Sequence, residues 1–244
     1  MNSECLATQD LGAADRERMF RLLRKNFHGV ERDGFEADLN EKNRVILIKE
    51  NGELQGFSTF LYYTTRYRDE TLGIVYSGDT IVEADARATL ELPRTWIKAV
   101  RQTGTDYRTD RQFWLLIVSG FRTYRFLPVF WKAFYPRFDS PTPPAKRELL
   151  HHLATQRFGD FFDPHRGIVE FPRPQPLRDS LAAMPASRLA DPHVRFFERA
   201  NPGWRNGDEL VCLTEICDRN LTRAGERMVF ARDASTQKCR ASGE

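Results

Sequence analysis

The sequence predicts one mixed α/β domain in which a mostly antiparallel sheet is flanked by helices. Two β-rich runs, VILIK at 45–49 and LQGFSTFLYY at 54–63, are joined through Asn51-Gly52, a strong hairpin signal. Further along, a helical stretch separates the β-rich run 74–83 from the continuous apolar run FWLLIV at 113–118. Strand, helix and buried strand in this order are typical of a βαβ crossover.

The remaining elements follow from periodicity. Residues 14–27 place Met19, Leu22, Leu23 and Phe27 at helical spacing, which predicts an amphipathic helix, and a second short helix is expected at 35–42. The run 74–83 completes a three-stranded meander. Further helices are predicted at 84–101, 123–135 and 149–156, and further strands at 167–171 and 209–216.

The composition along the chain predicts five segments. Residues 1–11 are expected to be a flexible lead, 12–171 the core, and 172–207, rich in Pro and Arg, an inserted arm with little core of its own. Residues 208–230 are expected to supply a closing strand and a C-terminal segment, and the polar residues 231–244 a disordered tail.

The overall composition excludes global disorder and a membrane-spanning helix. Apolar residues make up 41% of the 244 residues, and 18 Phe supply large side chains for a core. No apolar run approaches the roughly 20 residues that a spanning helix needs. The first residues contain no apolar stretch that could serve as a signal peptide, so a cytoplasmic location is expected.

Charge is unevenly distributed. The net charge of +3 is too small to predict nucleic-acid binding. Between Arg94 and Arg147, however, eleven basic residues stand against three acidic ones, an excess of eight, so an anionic partner is expected to dock there. The aromatic residues nearby have the spacing of a core and not of an exposed stacking platform, so we expect no nucleic acid.

Neither cysteine nor metal chemistry is indicated. The four cysteines form no CxxC pair and are interpreted as reduced thiols. His151-His152 with Asp160, Asp163 and His165 match no strong ligand spacing, so no metal site is expected.

Two local segments and the order of elements carry a family resemblance. Residues 51–57 (NGELQGF) resemble the hairpin and Gly-containing strand of many GNAT-superfamily N-acyltransferases, and residues 80–87 (TIVEADAR) resemble the strand end before their donor-binding helix. The similarity covers roughly 12–138. It implies a GNAT-like fold, an acyl thioester as co-substrate, no permanently bound cofactor, and a small amine or peptide amine as acceptor.

The resemblance departs from the family at the donor loop. The family places a Gly-rich pattern after an Arg or Gln, so that backbone amides hold the pyrophosphate of the donor. Here Arg87 is kept, but Leu90 and Leu92 stand at the positions of the small residues. The resemblance therefore points to relatives that use medium or long acyl chains from acyl-CoA or from an acidic acyl carrier protein, which would dock on the basic segment.

Candidate catalytic residues come from the chemistry of acyl transfer. The resemblance implies that backbone groups at Ile81 and Val82 bind the donor and the developing oxyanion. Asp79 and Glu83 lie at even spacing on one strand, so both point to one face and either could accept a proton from the amine. A solvated carboxylate at a strand end is the plainer interpretation of each.

Candidates for the acid and the donor site follow the buried strand. Tyr124 and Tyr135 are candidates for protonating the leaving thiolate, although a structural tyrosine is an equal alternative. Arg122 and Arg125 could meet a donor phosphate or form a solvated helix face. The aromatic residues between 126 and 134 are interpreted as core, with the wall of an acyl tunnel as the alternative.

Two functions remain open from the sequence. One is an N-acyltransferase that moves an acyl group from a thioester to an amine. The other is a non-catalytic protein of the same fold that binds acyl thioesters or regulates a partner.

Overall fold

The computed structural model describes residues 1–83, 86, 89–107 and 109–230. Its helices are α1 (Ala13–Asn26), α2 (Arg32–Glu41), α3 (Glu91–Asp106), α4 (Phe121–Tyr124), α5 (Phe126–Phe130), α6 (Pro144–Phe158), α7 (Asp179–Ala182), α8 (Pro192–Ala200) and α9 (Arg223–Phe230). Its strands are β1 (Asn2–Ala7), β2 (Arg44–Glu50), β3 (Glu53–Tyr67), β4 (Glu70–Val82), β5 (Arg111–Val118), β6 (Phe134–Tyr135), β7 (Phe162–Asp163), β8 (Ile168–Val169) and β9 (Glu209–Glu215).

The strands of the described residues form one sheet in the order β1-β2-β3-β4-β5-β9-β8-β7, with β6 also paired to β9. Every pair is antiparallel except β4 with β5, which α3 connects as a crossover. The predicted mostly antiparallel sheet flanked by helices is confirmed. So is the order of elements, from the meander through the crossover, on which the GNAT resemblance was based.

Two tight turns set the register of the meander. Asn51 and Gly52 have φ of 52° and 82°, the left-handed values that a two-residue type I′ turn requires. The predicted hairpin is therefore confirmed. Arg68 and Asp69 join β3 to β4, and Arg68 has a φ of 54°.

Helices cover both faces of the sheet because side chains alternate along the strands. Val45 and Leu47 of β2 pack in a cluster under α1 and α2, whereas Ile46 and Ile48 pack in another under α3. On β5 the alternation continues, with Phe113 and Leu115 under α6. One face is thus covered by α1, α2 and α6, and we call it the α2–α6 face. The opposite face is covered by α3, α4, α5, α8 and α9.

Residues 172–207 belong to the main core. Val194, Phe197 and Trp204 are buried in the cluster beneath α3, and Leu181 is buried in the cluster with α1. The predicted arm therefore has no separate core among the described residues. It packs its apolar side chains into the one that the sheet and helices already form.

Three predictions about elements are wrong. Residues 2–7 form the edge strand β1, paired with β2, instead of a flexible lead; its weakly apolar sequence gave no alternation to detect. No single helix spans 123–135. Two short helices end at Phe130, and residues 134–135 pair with β9. The helix expected from 84 begins at Glu91.

Two further expectations concern the C-terminal tail and membrane-spanning helices. The predicted disordered tail, 231–244, lies outside the described residues. None of the described helices is both long and apolar enough to cross a membrane.

Gly56 provides a test of the packing between β3 and β4. A Cβ at this position would lie 2.8 Å from the backbone oxygen of Ile81 and 3.0 Å from the Cα of Val82. Gly56→Ala is therefore expected to lower the free energy of unfolding by about 1–3 kcal/mol, because rigid backbone must move. Urea denaturation measures this.

Gly34→Ala is the matched control. Gly34 lies in α2 with no heavy atom within 4 Å of its would-be Cβ, so the change should stabilise the helix by up to about 1 kcal/mol. Equal effects of the two substitutions would contradict the described packing.

Candidate active site

A gap opens between β4 and β5. The two strands pair only where Leu72–Tyr76 of β4 lie beside Arg111–Leu115 of β5. Beyond Tyr76, β4 continues to Val82 paired with β3, while β5 continues to Val118 paired with β9. Groups on the far half of β4 therefore border a space where strand pairing has stopped.

An extra residue in β4 marks the start of this gap. Ser58 pairs with Thr80 but Phe60 pairs with Ser77, so Gly78 and Asp79 together oppose Thr59. This is a β-bulge, which bends a strand and re-aims its side chains. A Cβ on residue 78 would lie 2.4 Å from Lys42 Cε and 2.5 Å from Thr59 Oγ1, so the bulge requires glycine there.

The backbone of β4 presents N–H groups toward the gap. The N–H of Glu83 donates to the Gln55 oxygen at 2.8 Å, and Val82 stands opposite Gly56. Because donors alternate along an antiparallel ladder, the N–H groups of Thr80 and Val82 point away from β3, and that of Ile81 points toward it. The Ile81 side chain is buried beneath α1 and α2.

Asp79 lies beside this backbone in a cluster of charged groups. Burial and, to a smaller extent, the nearby Asp38 carboxylate raise the pKa of its carboxyl to about 7, and Lys42 opposes both. Part of the side chain remains accessible to solvent. Asp79 is therefore a carboxyl that can accept or release a proton near neutral pH.

A second carboxyl, Glu209, belongs to the same cluster. It is the first residue of β9, two strands away from β4, and burial raises its pKa to about 8, with Asp79 and Asp38 adding to the effect. Nothing in the local sequence around Glu209 identifies it as a site residue. Only the pairing of β9 with β5 brings this strand end to the gap. A glutamate at the start of a strand is by itself no signal of a site.

Tyr76 forms the aromatic part of the cluster. Its ring lies 5.3 Å from Lys42 Nζ and 4.6 Å from the guanidinium of Arg157, measured to the ring centroid. Burial raises the pKa of the Tyr76 hydroxyl well above its usual value. Arg157 also forms an ion pair with Glu41, so its charge is balanced within the cluster.

Glu83 lies apart from these groups. Its carboxylate forms an ion pair with Lys25 of α1 at 2.6 Å. The even spacing of Asp79 and Glu83 thus leads to two different surroundings. Asp79 is enclosed among charges of α2 and β9, and Glu83 is tied to α1.

The two candidate tyrosines lie at different places. Tyr124 is completely buried, and its hydroxyl donates to the Pro136 oxygen at 2.8 Å. Burial raises its pKa far above the usual range. Tyr135 lines a cavity of about 160 Å³ with Phe113 and Lys146, near the beginning of β5 and away from the gap. The structure brings neither hydroxyl to Asp79.

Arg122 and Arg125 hold residues of the 172–207 segment. Arg122 donates to the backbone oxygens of Leu181 and, at 3.1 Å, Ala183. Arg125 forms an ion pair with Asp191 at 2.8 Å.

Other basic residues between 94 and 147 are also paired within the chain. Arg101 contacts Asp218, Arg111 and Lys146 contact Glu215, and Arg137 contacts Asp139. Asp139 belongs to the same segment, but Asp218, Glu215 and Asp191 do not, so folding places acidic residues of other segments beside several of these basic residues.

A carboxylate lies in the first turn of α3. Arg87 lies outside the described residues. Leu90 is exposed at the N-cap, and Leu92 is buried in the core. Glu91 in the first turn accepts a hydrogen bond from Ser3 Oγ at 3.0 Å and contacts Arg94 at 3.6 Å. A carboxylate thus occupies the first turn, where the resembled fold binds a pyrophosphate.

The aromatic residues considered for an acyl tunnel are mostly interior. Phe130, Trp131 and Phe134 are buried in the main core, and Phe126 packs against it. Their contacts are those of core residues, as the plainer interpretation expected. Within the described part of the chain, no group of three or more potential ligands is placed to hold a metal ion.

Another groove lies at the N-terminal end of β5, which is the end away from the gap. Its volume is about 930 Å³, and Lys98, Arg101, Gln112 and Cys217 are among its lining residues. It includes none of the cluster around Asp79. The gap is distinguished by its ionisable groups and not by cavity volume, so we place the candidate site at the gap.

Comparisons with known proteins give distant structural likenesses. No family model matches the chain, and a search of curated proteins found no match. A probable N-acyltransferase from Enterococcus faecalis is similar at 12% identity and a TM-score of 0.41, over 55% of this chain and 33% of that protein, so the alignment spans about a third of that relative's length.

Two further solved structures align over more of their own length. Tetrahymena GCN5 aligns at 11% identity over 60% of this chain and 85% of that one, with a TM-score of 0.40. An acyl-CoA N-acyltransferase from Pseudomonas aeruginosa aligns at 14% identity over 53% and 86%, with a TM-score of 0.35. Structural similarities at these identities and TM-scores do not define an activity.

The raised pKa values of Asp79 and Glu209 predict a specific pH dependence of stability. Both carboxyls hold protons more tightly in the folded chain, so they oppose folding increasingly as the pH rises from about 4 to about 8. Asp79→Asn or Glu209→Gln should therefore stabilise the fold more near pH 8 than near pH 5, by about 1–3 kcal/mol for each variant. Urea unfolding at both pH values measures the difference, and equal effects at the two would contradict it.

Proposed function

We propose that the chain is an N-acyltransferase that moves an acyl group from a thioester donor to a small amine or peptide amine. The observation that carries the proposal is the juxtaposition at the gap. A bulge places Asp79, with a pKa of about 7, next to backbone N–H groups that point into the space between β4 and β5. Acyl transfer needs this pair of groups, a proton acceptor and an oxyanion donor.

The proposed reaction begins with an ammonium that must lose a proton. The Asp79 carboxylate takes that proton, and the neutral amine attacks the thioester carbonyl carbon. A C–N bond forms, the carbonyl electrons move to oxygen, and the N–H of Thr80 stabilises the oxyanion. The intermediate collapses and the C–S bond breaks. The leaving thiolate takes the second proton that the newly bonded nitrogen gives up and becomes the free thiol, and the proton held by Asp79 passes to solvent.

We assign the base to Asp79 in preference to Glu83. A general base is most effective when its pKa lies near the working pH, and Asp79 meets that condition. Glu83 is held by Lys25. In this proposal Tyr124 and Tyr135 have structural roles, because neither hydroxyl reaches the gap.

The donor in this proposal is an acyl thioester with a medium or long chain. Leu90 and the Glu91 carboxylate at the head of α3 are a poor match for a pyrophosphate, whose negative charge Glu91 would repel. Less of the binding energy would then come from the nucleotide and more from the acyl chain. The proposal includes both acyl-CoA and an acyl carrier protein as the source of the thioester. Turnover measured with each donor distinguishes between them.

Substitution of the base is the first test. Asp79→Asn keeps the shape of the side chain but removes the proton acceptor, so turnover should fall by about 10²–10⁴-fold. Glu83→Gln is the matched control and should stay within a few-fold of the unsubstituted chain. Turnover is followed by thiol release from acyl-CoA and acyl-carrier donors with a panel of amines, from about pH 6 to 9.

Two results would overturn parts of the proposal. Unchanged turnover in a folded Asp79→Asn variant would remove Asp79 as the base. Absence of turnover with every donor, together with measurable donor binding, would favour the non-catalytic binding protein.

Chain-length preference is the second test. Acetyl-CoA should bind weakly compared with an acyl-CoA of about eight or more carbons, because each buried CH₂ adds about 0.8 kcal/mol. Calorimetric titration with both donors measures the two affinities. Equal affinities would contradict the preference for longer chains and leave the catalytic assignment untouched.

A further inference from the structure

We propose that Asp38 and Lys42, at the C-terminal end of α2, form a positioning pair that holds the bulge and sets the charge of Asp79. The inference rests on the function proposed above, in which Asp79 is the base. It adds two residues that touch neither substrate in that reaction and act through Asp79.

Lys42 is placed unusually for a lysine. It follows the last residue of α2, yet its side chain is completely buried. Its Nζ donates to the Asp38 carboxylate at 2.5 Å and to the Asp38 backbone oxygen at 3.3 Å. Burying an ammonium is costly even when it is paired, so the fold retains the charge of Lys42 at a cost.

The stem of Lys42 lies over the bulge. The missing side chain of Gly78 leaves room for Lys42, whose Cε and Nζ would lie 2.4 and 3.2 Å from a Cβ there. Thr59, on the opposite side of the bulge, is 2% exposed, and its hydroxyl has no hydrogen-bond partner among the residues that the structure describes. Lys42 thus fills the position next to Asp79 from the α2 side.

The groups facing Asp79 come from several elements. Asp38 and Lys42 come from α2, Tyr76 from β4 itself and Glu209 from β9. Arg157 of α6 reaches the cluster through the Tyr76 ring and is balanced by Glu41. Among these, Lys42 is the cation that favours ionised Asp79, whereas Asp38 and Glu209 disfavour it.

The two members of the pair therefore have opposite effects. Removing the Lys42 charge leaves the carboxylates of Asp38 and Glu209 facing Asp79 without the ammonium, so the Asp79 carboxyl should ionise at higher pH. Removing the Asp38 charge leaves it facing the ammonium, so it should ionise at lower pH. A pair with a purely structural role would not produce shifts of opposite sign.

The experiment is a carbon-13 NMR titration of the side-chain carboxyls of the full chain, with the Asp79 signal assigned by its loss in Asp79→Asn. The Asp79 midpoint should rise by about one pH unit in Lys42→Met and fall by about one in Asp38→Asn. Glu148→Gln, an exposed carboxyl of α6 paired with Arg68, is the control and should leave the midpoint unchanged.

The titration does not depend on turnover, so the two proposals can fail separately. If the chain turns over no substrate but the midpoint shifts as expected, the function fails and the pair stands. If Asp79 proves to be the base but neither variant moves its midpoint, or both move it in the same direction, the pair is overturned. Should Lys42→Met not fold, Asp38→Asn decides alone, because Asp38 is partly exposed and a rise or no change there contradicts the proposal.

Discussion

The arrangement of the site depends on one place in the sheet where pairing between neighbouring strands ends. Up to Tyr76 and Leu115, β4 and β5 are an ordinary parallel pair. Beyond that point each strand keeps only its outer neighbour, so backbone groups of β4 no longer have a β5 partner. The extra residue at Gly78-Asp79 lies just past this point, where a bulge bends the strand and re-aims its side chains.

Charge burial is the second consequence of that arrangement. The α2–α6 face is apolar along most of its length, but near the gap it holds Asp79, Glu209 and Lys42. Each of these is costly to bury. Lys42 is paired with the Asp38 carboxylate, whereas burial raises the pKa of both Asp79 and Glu209. Such a concentration of perturbed ionisable groups is typical of a functional site, and here it lies where the pairing of β4 with β5 ends.

Much of the fold could be predicted from the sequence because its signals are local. Asn51-Gly52 sets the first hairpin, and the apolar run 113–118 identifies the strand covered on both faces. Segments whose structure depends on distant partners were missed. The strand at residues 2–7 exists because β2 offers an edge, and residues 134–135 became a strand because β9 lies beside them.

The site divides in the same way. Asp79 could be proposed from its place on a strand, but its difference from Glu83 depends on which helix packs against each. Glu209 and Lys42 could not be found, since the first requires the pairing of β9 and the second requires the space above Gly78. Arg122 and Arg125 were predicted for a donor phosphate from local charge alone, and the fold pairs them with the segment 172–207.

The most decisive measurement is a crystal structure with a bound, unreactive ketone analogue of a long-chain acyl-CoA, in which a CH₂ group separates the carbonyl carbon from the sulfur. We expect the carbonyl of the analogue to lie between β4 and β5, with its oxygen facing the N–H of Thr80 and its carbon near the Asp79 carboxyl. An analogue bound instead in the groove beside Lys98 and Cys217, with the gap between β4 and β5 unchanged, would contradict it.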